Sequence, residues 1–168
     1  MLMESKSQTV STGLLVGLIG FAAVAGFYAI FDVLAARGAF YTVDLLGKSI
    51  FRGLRDPSVL GLPIALDVTA IALYSVFHLL VSLAIGLIVT GLVDYSERRP
   101  THARMVSYTI MAGFVVTIIA VGVLTGPSRP LLPWWSIVVA NAVAVVLAGW
   151  YLLLKRPSSW KRLRPFGL

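Results

Sequence analysis

Four long apolar stretches separated by short polar connections dominate the pattern of this chain. An α-helix rises about 1.5 Å per residue, so about 20 apolar residues cross the roughly 30 Å hydrocarbon layer of a bilayer. Residues 64–93 exceed this length, and residues 12–36, 105–125 and 134–154 reach it. The pattern therefore predicts four transmembrane helices.

The connection between the first two apolar stretches has an amphipathic pattern over residues 42–54. One side carries Val43, Leu46, Ile50 and Leu54, and the other carries Asp44, Lys48, Arg52 and Arg55. This spacing predicts a short amphipathic helix. Two interpretations stay open: the helix lies flat on the membrane surface, or its apolar side packs on top of the bundle.

The predicted fold class follows from these elements. The chain is expected to be an all-α integral membrane protein, a single domain over residues 1–168. Four transmembrane helices form an antiparallel bundle, an interfacial helix lies between the first two, and a basic tail covers residues 155–168. The first apolar stretch is too long for the core of a secretory signal, so we expect it to be retained.

Composition supports the membrane class and narrows the partners. Only 12% of the residues are charged, against about 25% in soluble domains. The net charge of +7 comes from basic residues in connections and tails, which favours anionic phospholipids over nucleic acid as a partner. The absence of cysteine excludes disulfides, thiolate metal sites and iron–sulfur clusters.

The distribution of Lys and Arg predicts the topology. With four spans, the N-terminal residues, the 94–104 turn and the tail share one side and hold nine basic residues, whereas the opposite connections hold five. The positive-inside rule then places both termini in the cytoplasm of a multi-pass bacterial inner-membrane protein.

Small residues recur at four-residue spacing in the first and fourth apolar stretches, where they allow helix backbones to approach closely. The predicted packing positions are Gly13, Gly17, Ala22, Gly26, Ala140, Ala144 and Ala148.

The second predicted span has one polar side, with His78 near its middle. Asp67, Tyr74, Ser82, Gly86 and Thr90 share this side. An ionised group at this depth costs at least about 2.5 kcal/mol, so we expect a neutral imidazole with a hydrogen-bonding partner. Asn141 and Thr117 lie at a similar depth on their own helices, which predicts an intramembrane polar cluster of His78, Asn141, Thr117, Tyr74 and Ser82.

Other interpretations of His78 remain open. A haem held by two histidines is disfavoured because His102 lies in a turn roughly 20 Å away along the helix. A pigment with a single histidine ligand, or a proton relay, is compatible with the sequence. We predict no cofactor and no metal site.

Two aspartates flank the predicted outer connection. Asp32 ends the first span and Asp67 begins the second, so both carboxylates are expected to face Arg37, Arg52 or Arg55 in interfacial salt bridges. An acid–base pair for catalysis would require a nearby His, Ser or metal ligand, and the sequence offers none in a recognisable arrangement.

A further basic set is expected to contact lipid headgroups or an acidic partner. It consists of Arg98, Arg99, Arg104, Lys155, Arg156, Trp160, Lys161, Arg162 and Arg164.

No phosphate-binding loop, zinc-protease pair or nucleophile elbow occurs in the sequence. We therefore expect a non-catalytic accessory or structural subunit of a larger membrane complex, an energy-transducing one being an option. It would pack against other integral membrane subunits and contact lipid or pigment. The alternative is a small oligomeric transporter or channel protomer with Asp67, Tyr74, His78 and Ser82 lining its pathway. A membrane enzyme using His78 or the outer aspartates is a third hypothesis.

Overall fold

The computed structural model describes residues 2–54, 65–126 and 131–156, with side chains from residue 7 onward. It contains five α-helices: α1 (Leu2–Leu34), α2 (Tyr41–Phe51), α3 (Val68–Arg98), α4 (Ala103–Leu124) and α5 (Trp134–Lys155). A 3-10 turn, Pro100–His102, precedes α4. Four of the helices are long and apolar enough to cross a membrane. The chain is thus a multi-pass, all-α membrane bundle, as the sequence predicts.

The helix bounds differ most from the predicted ones at the start of α1 and at both ends of α3, which ends at Arg98 rather than at residue 93. α1 begins at Leu2 rather than at residue 12, because the polar segment before residue 12 is rich in helix-forming Met, Glu, Lys and Gln. α3 begins at Val68 rather than at residue 64. The Asp67 carboxylate accepts the backbone N–H of Ala70 at 2.9 Å and caps the helix there.

The spans form a four-membered arrangement in which α1 packs along α3 and α5, and α4 makes fewer contacts, also with α3 and α5. Neighbouring spans are antiparallel. The start of α1 meets the end of α5, where Arg156 Nη2 donates to Thr9 Oγ1 at 3.0 Å. The end of α1 meets the start of α5, where the hydroxyls of Tyr28 and Ser136 lie 3.4 Å apart.

Glycines make the closest approach between two spans, where α1 crosses α3. A Cβ built on Gly17 would come within 2.6 Å of Leu83 Cα, and one on Gly13 within 3.0 Å of Leu87 Cα. Gly86 of α3 lies against both α1 glycines. The predicted packing positions Gly13 and Gly17 therefore lie in a close helix contact, which leaves no room for a side chain at Gly17 and little at Gly13.

The second predicted pair on α1, Ala22 and Gly26, does not pack against a helix. Ala22 is exposed, and a Cβ on Gly26 would meet nothing within 4 Å. The inward face of α1 continues from Gly17 through Phe21, Val24 and Tyr28, which turns Ala22 and Gly26 outward, so their role in helix packing stays a prediction. The ridge on α5 faces inward, with Ala140 and Ala144 buried and Ala148 half-buried.

Candidate functional site

The short helix α2 packs against α3 and α1 and closes one end of the bundle. Its buried residues include Thr42, Asp44, Leu45 and Leu46. A Cβ on Gly47 would come within 2.7 Å of the Ala70 carbonyl carbon, so α2 is in backbone contact with the first turn of α3. This geometry corresponds to the packed interpretation rather than to a helix lying flat on the membrane.

The predicted polar side of α2 is partly wrong, because Asp44 is fully buried whereas Ile50 of the predicted apolar side is 37% exposed. The Asp44 carboxylate accepts the Lys48 ammonium and, at 2.9 Å, the backbone N–H of Asp67. Lys48 also donates to the carbonyl of Ala65. These bonds join α2 to the segment that leads into α3. A carboxylate can be buried when it is paired and hydrogen-bonded, and Asp44 therefore lies inside although the amphipathic pattern places it on the polar side.

Asp32 is also fully buried, and its hydrogen-bond partner among the described residues is Thr42 rather than an arginine. Oδ2 accepts the backbone N–H of Thr42 at 2.7 Å, and Oδ1 accepts the Thr42 hydroxyl at 2.7 Å. The N-cap residue of α2, Phe40, has no capping side chain. Asp32 therefore supplies from α1 the acceptor that an N-cap side chain normally provides. The expected salt bridge of Asp32 with Arg37 or Arg52 is wrong for this reason.

Arg37 and Asp67 make the other contacts around α2. Arg37 Nη1 donates to the Leu131 carbonyl at 2.8 Å, and its guanidinium lies 5.1 Å from the centre of the Tyr41 ring. Arg52 Nε donates to Asp67 Oδ2 at 2.9 Å, which is one of the ion pairs expected from the sequence. The hydrogen bonds from Arg52 and from the Ala70 N–H lower the pKa of Asp67 to about 2. Arg55 lies outside the described residues.

A small cavity of about 30 Å³ lies beneath α2. Its lining comes from three helices, α1, α2 and α3. The polar members are Tyr28, Thr42, Tyr74, Ser75 and His78, and the apolar members are Phe21, Val24, Ala25, Val43 and Leu46. The His78 ring lies 5.2 Å from the Phe21 ring and 5.9 Å from the Tyr74 ring, measured between centroids. A tetrapyrrole pigment or haem does not fit in this volume.

The expected hydrogen bond of His78 with Asn141 or Thr117 is wrong. Asn141 Nδ2 donates to the Ile137 carbonyl at 2.8 Å, and Thr117 Oγ1 donates to the Gly113 carbonyl at 2.9 Å, each within its own helix. The His78 ring faces α1, because Phe21 is its aromatic contact there. Polar residues of a helix often bond a carbonyl one turn earlier, and that local option needs no neighbouring helix.

Only two members of the predicted cluster, Tyr74 and His78, line the cavity. Ser82 lies at the α1 crossing instead, where its carbonyl oxygen is 2.6 Å from the position of a Cβ on Gly17. The sequence interpretation missed Thr42, Ser75 and Tyr28 as lining residues. The position of Tyr28, one heptad after Phe21 on the inward side of α1, is the signal that could have indicated it.

The opposite end of the bundle is closed by Arg156. Nη1 donates to Asp94 at 3.1 Å and to Glu97 at 2.8 Å, and Nη2 reaches Thr9. Arg98 pairs with Asp94 at 3.0 Å. The expectation of headgroup contacts is therefore wrong for Arg156, whose side chain is 15% exposed and bound within the bundle.

The other basic positions divide into two groups. Arg99 and Arg104 are exposed, and the Lys155 ammonium lies 5.9 Å from the centre of the Tyr151 ring. Trp160, Lys161, Arg162 and Arg164 lie outside the described residues.

Across residues 2–54, 65–126 and 131–156, no group of three His, Asp or Glu side chains could hold a metal ion.

The comparisons with known proteins identify no family for this chain. No family model, curated protein or solved structure shows significant similarity to this chain.

Proposed function

We propose that the chain is a non-catalytic accessory subunit of a larger membrane protein complex, and that α4 is the helix that packs against another integral membrane subunit. The observation that carries the proposal is that α4 buries few of its residues against the other helices. Within this 22-residue helix, only Ala103 and Val106 are buried, and both belong to its first turn. The other spans bury residues along much of their length.

The uncovered side of α4 suits a neighbouring helix. Thr109, Gly113 and Thr117 follow one another at four-residue spacing, and a Cβ on Gly113 would meet nothing within 4 Å. The hydroxyls of Thr109 and Thr117 donate to carbonyls of α4 itself. In lipid, helix association depends on close van der Waals packing, which small residues with satisfied polar groups permit.

The polar residues at depth also support a packing role over a chemical one. Asn141 and Thr117, which were expected to form a polar centre with His78, are each satisfied within their own helix. Their hydrogen bonds therefore do not hold groups of different helices in the fixed arrangement that catalysis would require.

A paired substitution tests the proposal. Gly113→Leu adds bulk to the uncovered side of α4, and Gly91→Leu adds the same bulk to an exposed site on α3 where a Cβ meets nothing within 4 Å. Both chains should fold, as judged by helical circular dichroism and thermal stability. After extraction in mild detergent, quantitative mass spectrometry should find a companion membrane protein with the original chain and with Gly91→Leu, and its loss with Gly113→Leu. A chain purified alone in all three cases would contradict the proposal.

For the location, we propose the bacterial inner membrane with both termini in the cytoplasm and with anionic phospholipids as partners of exposed Arg99 and Arg104. The support is the excess of basic residues on the side of the termini. The chain has no cysteine, so single-cysteine variants report the sidedness directly. In intact spheroplasts, an impermeant maleimide should label Leu66→Cys and leave Arg99→Cys unlabelled; the reverse result would invert the topology.

The alternative function, a small oligomeric transporter or channel protomer, has one favourable observation. Tyr74 and His78 share a polar-lined cavity within the bundle. Asp67 is bound to Arg52 and Ser82 lies at the α1 crossing, so the pathway expected from the sequence is incomplete. An unchanged ion or proton flux in His78→Ala proteoliposomes would exclude this function.

A further inference from the structure

Two polar side chains that face the cavity beneath α2 lack a hydrogen bond to protein among the described residues. The Tyr74 ring contacts the His78 ring, and the His78 ring also contacts Phe21, but these contacts satisfy neither the Tyr74 hydroxyl nor the His78 nitrogens. A neutral imidazole has one donor and one acceptor nitrogen, and a phenol can both donate and accept. Polar groups inside a bundle surrounded by lipid need partners, because bulk water does not reach them.

The same cavity offers further acceptors. Thr42 Oγ1 uses its proton to bond Asp32, and Ser75 Oγ uses its proton to bond the Ile71 carbonyl at 2.8 Å. Each hydroxyl oxygen keeps lone pairs that can accept. Four side chains from α2 and α3 therefore surround one small space with unused hydrogen-bonding capacity.

The volume of this space defines what it can hold. The cavity measures about 30 Å³. A cavity needs only about 10–15 Å³ of probe-occupied volume to hold one water, provided that two to four polar partners are present. Both conditions are met here.

We propose that the cavity is an internal hydration site, which holds one ordered water bonded to the Tyr74 hydroxyl and the His78 imidazole, with Thr42 or Ser75 as a further acceptor. The ligand class is a neutral molecule of the size of water. An ion is disfavoured, because the lining contains no carboxylate and the Asp32 carboxylate, which touches the lining residue Thr42, has each of its oxygens bonded to that residue. The water completes the hydrogen bonds of His78 that Asn141 and Thr117 do not supply.

The site also joins helices. Thr42 belongs to α2, whereas Tyr74, Ser75 and His78 belong to α3. A water bonded to residues of both helices connects α2 to the polar side of α3. Buried waters with several polar partners behave as part of the structure.

Solid-state NMR on the full chain in phosphatidylcholine and phosphatidylglycerol bilayers tests the proposal. With ¹⁵N-labelled histidine, magnetisation should pass from water protons to the His78 ring nitrogens, whose shifts should be those of a neutral imidazole. His102, half-buried in the turn before α4 at the end of the bundle, serves as the reference outside the cavity, and His102→Gln assigns the two signals. A paramagnetic chelate in the aqueous phase should broaden the His102 signal and spare that of His78. Transfer from lipid acyl protons without transfer from water, or no transfer from either, would overturn the proposal.

A matched pair of variants separates the cavity from general hydration. Ala25→Leu places an apolar side chain into the lining and should abolish the water transfer to His78, whereas Ala22→Leu adds the same group to the exposed side of α1 and should preserve it. Tyr74→Phe removes one partner with little change in shape and should weaken the transfer. Water transfer that persists in Ala25→Leu would place the water elsewhere and overturn the assignment, and the wild-type measurement decides the matter if that variant fails to fold.

Discussion

Gly17 of α1 and Gly86 of α3 lie in backbone contact, so that a Cβ added to Gly86 would come within 2.7 Å of Gly17 Cα. In lipid, apolar side chains gain little by leaving the solvent, and the contact energy between spans comes largely from such close approaches. A methyl group added at the α1–α3 crossing would therefore force the two spans apart.

Gly86→Ala is expected to destabilise the bundle. Inserting a methyl group into a packed contact costs about 1–3 kcal/mol, which outweighs the gain in helix propensity of about 1 kcal/mol from replacing a helical glycine. The measurement is the free energy of unfolding in mixed micelles during titration with a denaturing detergent.

Gly91→Ala is the control for this prediction, because it lies on the same helix and its Cβ would meet nothing within 4 Å. It should be neutral or slightly stabilising. Equal stability of the two variants would show that α1 and α3 do not approach closely at Gly86.

The α1–α3 crossing also shows which features of the fold the sequence can predict. Helix length and apolarity are local properties, so the four spans and the α2 segment are predictable from residues 12–154 with errors confined to their ends. The spacing of Gly13 and Gly17 indicates a close contact but does not identify its partner. Helical periodicity alone cannot determine which helix lies opposite Gly17. The contact of Gly86 with Gly17 can be recognised only from the position of α3 in the structure.

Two errors at the site have the same physical origin. Asp44 lies on the charged side of the α2 pattern, yet it is buried because the Asp67 N–H and Lys48 meet its carboxylate. His78 was expected to bond Asn141, yet the Asn141 amide bonds a carbonyl of its own helix. In each case the outcome depends on which backbone group is nearest, and a side-chain pattern does not contain this information.

Thr42→Val is expected to loosen α2 from the end of α1. The substitution keeps the size and shape of the side chain and leaves the Thr42 backbone N–H bond intact, but it removes the hydroxyl that donates to Asp32 Oδ1. Leaving a buried acceptor without its donor costs about 1–3 kcal/mol, and more for a charged group. Hydrogen–deuterium exchange should increase across Tyr41–Phe51 while exchange in α5 changes little.

Thr42→Ser retains the hydroxyl and is the control, with exchange close to that of the original chain. Equal exchange in the Val and Ser variants would indicate that the hydroxyl bond to Asp32 contributes nothing to α2 docking.

The carboxylate of Asp67 should titrate well below the usual range. Its hydrogen bonds with Arg52 and the Ala70 N–H lower its pKa from 3.8 to about 2 in the folded chain. Because the folded pKa is lower than the unfolded one, the stabilisation by this group is complete above about pH 4 and is lost as the pH falls through about 2. A ¹³C carboxyl titration of the selectively labelled chain measures the midpoint.

Arg52→Gln should move the Asp67 midpoint upward toward the ordinary aspartate value, because the guanidinium bond is the largest cause of the lowered pKa. The Ala70 N–H bond should keep the midpoint slightly below that value. A midpoint unchanged by Arg52→Gln would show that the ion pair does not form in the membrane-embedded protein.

Arg156→Gln should separate the end of α5 from α3 and α1. The Arg156 guanidinium bonds Asp94, Glu97 and Thr9, three side chains on two other helices. Hydrogen bonds to charged groups contribute about 1.5–3 kcal/mol each when well formed, whereas exposed ion pairs contribute about 0–1 kcal/mol, so we expect a loss of about 1–3 kcal/mol for this half-buried network. The loss should shrink at high salt, because the exposed part of the network is already screened in the original chain.

Arg104→Gln is the matched control for Arg156, since Arg104 is exposed near the start of α4 on the same end of the bundle. It removes the same charge, so a general effect of net charge would appear in both variants. A distance between spin labels on the ends of α1 and α5 should lengthen or broaden in Arg156→Gln alone. Equal distance distributions in the two variants would mean that helix packing holds this end of the bundle without Arg156, which would then be available to lipid headgroups as the sequence pattern first indicated.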